Sequence, residues 1–472
     1  MQRSFLRSSG SIFRRVLRPV VAPLALGLLA AGCTLHQSEP TPTAGTLDVY
    51  RYVAIGDGYT AGFSEGGLTA TGQQYSFPNL LAQQFIRINP PATFTQGLLP
   101  AGTGTGYLTS QSSTGVGGKP LLYHTWLVRR GRALRGSYVV NAAACGGPDT
   151  TFLYSQAASS PLSQNLGVPG LGLAQVEVAG LGNTANQARY GSFNSYFERL
   201  LPANDNRTYL QAATDASSSA TFFTFFMGFG DALPYILSGG ECGTPPSSSI
   251  LTGNAKKMLD RLAANGRQGV IALTPSIQNL PLLQLGGKNG VRGQLVEGLN
   301  PDSIYIRSAP GNVVRAIDAG DFVLPAGLDR LGAPENVTLP NGTTVSVRYG
   351  LSKRNPLVRR DVLDYFEFNR INTPLVTLNT ELERLAKNVY KLPFVSLDDE
   401  LFTQINRRIS VNGVEYSSDI MRGNFYSLDL YSLTPRGNAL LANTFIKAIN
   451  GQYRANIPFI DPNTLPTTTR PQ

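Results

Sequence analysis

The sequence predicts an α/β fold: a three-layer α/β/α sandwich with a mainly parallel sheet and large loop insertions. Two observations carry this. Short apolar runs of strand length alternate with longer segments of helical period, and that alternation implies a parallel sheet covered on both faces. Charged residues make up 15% of the chain while Gly and Pro number 50 and 31. Globular chains usually carry about a quarter charged residues, so this balance fits many loops on a well-packed core.

Each element follows from its period. Residues 51–55 read as a buried strand, with Val53-Ala54-Ile55 at its centre. Residues 78–86 read as a helix with Pro78 in its first turn and Leu80, Leu81 and Phe85 at helical spacing. A strand is expected over 137–142. Residues 221–227 form a nearly unbroken aromatic run, expected as a central strand buried on both faces. A helix over 254–264, closed by Asn265-Gly266, precedes a strand over 269–273. A helix over 375–390, a strand over 394–397 and a final helix over 437–449 complete the core. In that last helix Leu440, Leu441, Thr444, Phe445 and Ala448 face inward. The segments at about 88–160 and 280–370 lack this rhythm and read as insertions at the C-terminal edge of the sheet, where such folds bind ligands.

The N-terminus predicts the location. Residues 1–19 carry Arg3, Arg7, Arg14, Arg15 and Arg18 and no acid, and an apolar run from Val20 leads to Leu29-Ala30-Ala31-Gly32-Cys33. A basic region, a short apolar region and small residues at a cut site make a signal peptide. The run is too short for a permanent membrane helix. The ending resembles a bacterial lipobox, in which Cys33 takes the lipid. We therefore expect a signal over 1–32, a tether over 33–48, one domain over 49–455 and a C-terminal tail over 456–472. The expected location is the outer membrane, on its periplasmic or cell-surface side.

The full chain has 40 Lys+Arg against 30 Asp+Glu. Five arginines leave with the signal, so 35 stand against 30, a mild and dispersed +5. Nucleic acid is not an expected partner, since that requires basic residues clustered on one face; Arg129-Arg130-Gly131-Arg132 with Arg135 reads as a solvated loop. Cys145 and Cys242 lie in Gly-rich turns and form a possible disulfide. With two histidines in the chain, no tetrahedral zinc site is expected, and no metal or cofactor.

Four motifs carry the functional reading. The first is Gly56-Asp57-Gly58-Tyr59-Thr60-Ala61-Gly62 and the second Asn165-Leu166-Gly167-Val168-Pro169-Gly170. The third is Gly228-Phe229-Gly230-Asp231, and the last runs from Asp429 through Ser432 to Thr434-Pro435-Arg436-Gly437. Their order resembles the SGNH/GDSL hydrolase family, whose fold is flavodoxin-like, and in particular its lipidated Bacteroidetes-type members, with degenerate catalytic motifs. The resemblance covers most of residues 50–455. It implies that Gly58 stands at the nucleophile position and that Gly167 supplies an oxyanion amide. It also implies that Gly230 stands where the family has an oxyanion Asn, that Asp429 is the triad acid, and that Ser432 holds the histidine position.

Ester cleavage by this route needs a nucleophile, a base and oxyanion donors. Gly58 lacks the first, and the neutral hydroxyl of Ser432 is not basic near pH 7. His36 lies in the tether and His124 in an insertion. Thr60 and Ser64 are the nearby hydroxyls, read as a helix-start and a loop residue. Asp57, Asp231 and Asp429 share one edge, an arrangement that a hard cation can use, although in the family the first two tie loops to backbone amides. The expectation is a membrane-anchored, catalytically inactive pseudo-hydrolase acting by binding an envelope glycan, an acyl ligand or a protein. The alternatives are an active ester hydrolase (esterase, lipase or acetylesterase) with a non-standard site, and a structural envelope component. An open pocket over Gly58 favours binding, and a filled one favours a structural role.

Overall fold

The computed structural model describes residues 41–110, 127–130, 163–186, 191–287 and 304–470, all within one compact unit, Thr41–Gln472. Five strands form the central sheet: β1 (Tyr52–Gly56), β2 (Asn165–Gly167), β3 (Phe222–Phe226), β4 (Gln268–Ala272) and β5 (Phe394–Val395). They lie in the order β5-β4-β3-β1-β2, and every pairing is parallel. All residues of β1 and β3 are buried, the pattern of strands covered on both faces. Gly56 pairs with Gly167 on one side and Phe226 on the other. The chain therefore steps from β1 to β2, then back across β1 to β3. That reversal is a topological switch point, and its C-terminal edge is where open α/β sheets place ligands.

Seven helices bear on the argument: α1 (Gly58–Ala61), α2 (Phe77–Ile88), α3 (Tyr209–Ser217), α4 (Phe229–Leu237), α5 (Ser248–Leu262), α6 (Tyr365–Arg384) and α7 (Pro435–Tyr453). They gather in two groups. Helices α2 and α7 pack together through Phe77 and Phe445, whose stacked rings lie 4.8 Å apart. Helix α5 packs against both α3 and α6. Capping chemistry sets the starts. Thr208 and Gln211 form a capping box on α3, and Asp364 and Glu367 form another on α6.

Two helices begin earlier than their apolar period suggests. Helix α5 starts at Ser248, capped by Ser247. Helix α6 starts at Tyr365 and runs through Pro374, because its capping box and the buried Phe368 and Ile371 hold the first turns. It continues as a π-helical turn, Leu385–Tyr390, ended by Lys391 in a left-handed conformation. The expected strand over 137–142 lies outside the described residues.

The described part of the second insertion is built rather than loose. It holds the hairpins Tyr305–Ser308 with Val313–Ala316 and Pro334–Thr338 with Thr344–Arg348, and a short ladder between Phe322–Val323 and Val362–Leu363. Buried carboxylates bind it internally. Asp321 takes a two-pronged contact from Arg315 at 2.6 and 2.8 Å. Asp361 accepts from Arg330 at 3.1 Å and from the Tyr349 hydroxyl. Arg359 reaches Glu367 at 2.6 Å.

Both ends of the described chain lie on the domain. Thr43 bridges Asn456, and the Thr46 amide donates to the Tyr453 carbonyl at 2.9 Å. Leu47 and Val49 are buried in the core. Within the expected tail, Ile460 and Leu465 pack on the core and Thr469 is buried.

Candidate functional site

The site is the edge where β1, β2 and β3 end. Asp57 follows β1 and caps α1, accepting from the Tyr59 amide at 3.3 Å. Its other oxygen accepts from the Gly230 amide at 3.0 Å. Asp231 accepts from the amides of Leu173 at 2.6 Å and Ala174 at 2.9 Å. Both carboxylates are therefore struts between loops. Burial pushes Asp57 up to about 7 and Asp231 up to about 6, with the amide bonds opposing the shift.

Asp429 is still more densely held. Its oxygens accept from the amides of Gly66 at 2.8 Å, Ser432 at 2.8 Å and Tyr431 at 3.2 Å. The hydroxyls of Ser427 and Ser432 donate to it at 2.9 and 2.5 Å and lie 2.8 Å from each other. Gly66 and Glu65 form the tip of a two-residue reversal closed by Ser64 and Gly67, both tip residues having positive φ. Glu65 is 2% exposed. It accepts from Thr468 at 2.6 Å and lies 3.6 Å from Arg470. Burial raises its carboxyl to about 7, although Thr468 and Arg470 favour the charged form.

The motif residues singled out in the sequence each have a place in the described structure. Gly58 opens α1, and with Ser432 it lines one cavity. Tyr59, Phe63, Phe229, Leu233 and Tyr431 line the rest, leaving about 10 Å³, the room of roughly one water molecule. The Tyr59 ring stacks on Phe226 at 5.3 Å, and its hydroxyl donates to the Tyr431 carbonyl at 2.7 Å. Among the described residues, these aromatic side chains fill the space above Gly58.

The Gly167 amide donates to Asn165 Oδ1 at 2.9 Å, so it is committed to its own turn. Gly230 has no room for a side chain: an added Cβ would lie 2.0 Å from the Leu171 carbonyl oxygen. Crowding of this kind recurs along the edge. A Cβ on Gly167 would lie 2.2 Å from the Ala61 nitrogen, and one on Gly172 would lie 2.2 Å from Asp231.

Neither stand-in hydroxyl reaches the cavity. Thr60 is fully buried beneath Gly56, and Ser64 donates to the Leu433 carbonyl at 2.8 Å. Cys242 is disulfide-bonded; Cys145, Cys33, His36 and His124 lie outside the described residues. Among the described residues no three His, Cys, Asp or Glu side chains converge as a metal site, since Asp57, Asp231 and Asp429 are each turned onto backbone amides. No described helix is long and apolar enough to cross a membrane.

Sequence reasoning missed Glu65, Ser427 and the aromatic filling by Phe63, Phe229 and Tyr431. Tyr431 was visible, lying between Asp429 and Ser432, but its direction is set by the turn at Leu430, held at φ 73°. No protein-family model, curated protein or solved structure matches the chain.

Proposed function

We propose that this chain is a lipid-anchored envelope protein with an SGNH-like three-layer frame, in which the family's catalytic edge serves as a packed joint. The parallel sheet with order β2-β1-β3-β4-β5 and the two helix groups support the frame. The observation that carries the functional reading is Gly230. The position that would hold an oxyanion Asn is closed by the Leu171 carbonyl, while position 58 offers no nucleophile and position 432 no base. An enzyme of this class gains most from preorganised oxyanion donors, and here one donor position cannot carry a side chain and the Gly167 amide is already engaged. The filled cavity over Gly58 favours a structural component, acting through outer surfaces, over a receptor for a small acyl or sugar ligand in that cavity.

The test is turnover of short-chain aryl esters and acetylated sugars by the purified protein. The expected result is hydrolysis no faster than the buffer blank. Turnover near that of an ordinary esterase, abolished by Ser432→Ala or Asp429→Asn, would overturn the proposal in favour of a non-standard active site. For the anchor, Cys33→Ala should move the protein from the membrane fraction to the soluble fraction; retention in the membrane would remove the lipidation reading.

A further inference from the structure

At the opposite edge of the sheet, where the strands begin, lies an open groove of about 680 Å³ between the end of the α6 extension and the last turns of α7. Its floor is partly apolar, with Leu392, Pro393, Phe394 and Ala448, and Lys387, Lys391 and Lys447 stand along it, all exposed. One acid lines it, Glu400, paired with Lys447 at 2.9 Å. Lys387 pairs with Glu383 at 2.5 Å while lying 5.0 Å above the Phe394 ring. Among the described residues Lys391 has no acidic partner. Glu383 and Glu400 thus pair with two of the three lysines, and Lys391 is the cation left over among the described residues. Such cations gather here for a physical reason. In a parallel α/β fold the helix C-termini end at the strand starts, and each favours a nearby cation.

The chain enters the domain at this same edge. Gln452 lines the groove, and the next residue, Tyr453, accepts from Thr46. Thr43 bridges Asn456, and the exposed Arg454 lies between. Seven residues separate Cys33 from Thr41, and the eight steps between them reach at most about 28 Å.

We propose that this lysine-lined groove seats the protein on an anionic phospholipid surface, with the apolar floor accommodating glycerol and upper acyl carbons and the lysines meeting headgroup phosphates. This rests on the anchor reading for its orientation: a lipid on Cys33 keeps the groove within one short tether of the membrane. A basic patch adds an electrostatic contact to that of a lipid anchor.

The experiment uses the chain from residue 33 onward, made without its acyl group, so that any binding comes from the protein surface. It is sedimented with phosphatidylcholine vesicles and with vesicles that also contain phosphatidylglycerol. Binding is expected only to the anionic vesicles and is expected to fade at high salt. Lys391→Ala should weaken it about fivefold, the share of one cation near such a surface. Gly451→Asp, where an added Cβ meets no atom within 4 Å, should weaken it at least as much without changing Tm. Lys353→Glu, an exposed position in the second insertion, should leave it unchanged. Equal binding to both vesicle types, no binding to either, or indifference to Lys391→Ala and Gly451→Asp would overturn the proposal. The acyl group on Cys33 is read separately, by the mass of the N-terminal peptide from membranes, so the two readings fail independently.

Discussion

Two regions of this molecule tie down several carboxylates each, and they do it differently. At the switch-point edge, Asp57, Asp231 and Asp429 are held by backbone amides and serine hydroxyls, with glycines packed against carbonyls around them. In the second insertion Asp321, Asp361 and Glu367 are held by Arg315, Arg330 and Arg359. The first scheme fixes loops by close approach of main chain and has no tolerance for added atoms. The second fixes hairpins by charge and has no tolerance for a missing partner. On the reading proposed above, acids at these positions are kept for loop geometry and not for catalysis. Asp57, Asp231 and Asp429 perform structural work here that does not depend on Ser, Asn or His.

The sharpest way to break this comparison is to add atoms at the first region. Gly230→Asn should cost about 3 kcal/mol in urea unfolding, the scale of an overpacked core, with Gly58→Ser costing well under 1, since Gly58 starts a helical turn. An active or undamaged Gly58→Ser, Gly230→Asn, Ser432→His triple variant would show that the edge opens readily. Next comes removal of an acceptor at the second region. Asp361→Asn keeps the shape but weakens bonds from Arg330 and Tyr349. It should cost about 2 kcal/mol, the range for hydrogen bonds to charged groups. Asp361→Asn should also soften selectively, with faster amide exchange in 305–348 than in the central sheet.

The smaller effect is titration. Asp57 and Asp231 hold their protons in the folded state up to about 7 and about 6, whereas unfolded aspartates release theirs near 4. Between those values the folded state binds more protons, so stability should fall as pH rises from about 4 to about 7. Each such group contributes at most about 1.4 kcal/mol per pH unit. Glu65, raised to about 7 by burial, acts in the same direction. Asp57→Asn should flatten the pH dependence of the unfolding free energy by up to one proton. An unchanged slope would mean that Asp57 is ionised in the fold.

Much of the frame was legible. The apolar runs of β1 and β3 and the periodic face of α7 announce themselves because their burial is continuous. Helix α3 and strand β2 were not picked out. Tyr209–Ser217 has a mixed face, and Asn165–Gly167 is only three residues long. The site was legible as a set of positions but not as a shape. Nothing local in the sequence reveals that Gly230 lies against Leu171, or that Tyr431 turns over Gly58. Those contacts arise between loops that meet only when the sheet is assembled.

The docking of residues 41–49 has a mechanical consequence. A pull applied at residue 41 first meets the paired amide and carbonyl bonds between Thr43 and Asn456 and then enters β1, which has a parallel neighbour on each side. Force along β1 loads both ladders in shear, so their bonds share the strain at once instead of parting one by one. A domain pulled from this end is gripped at an internal strand and resists through two ladders together.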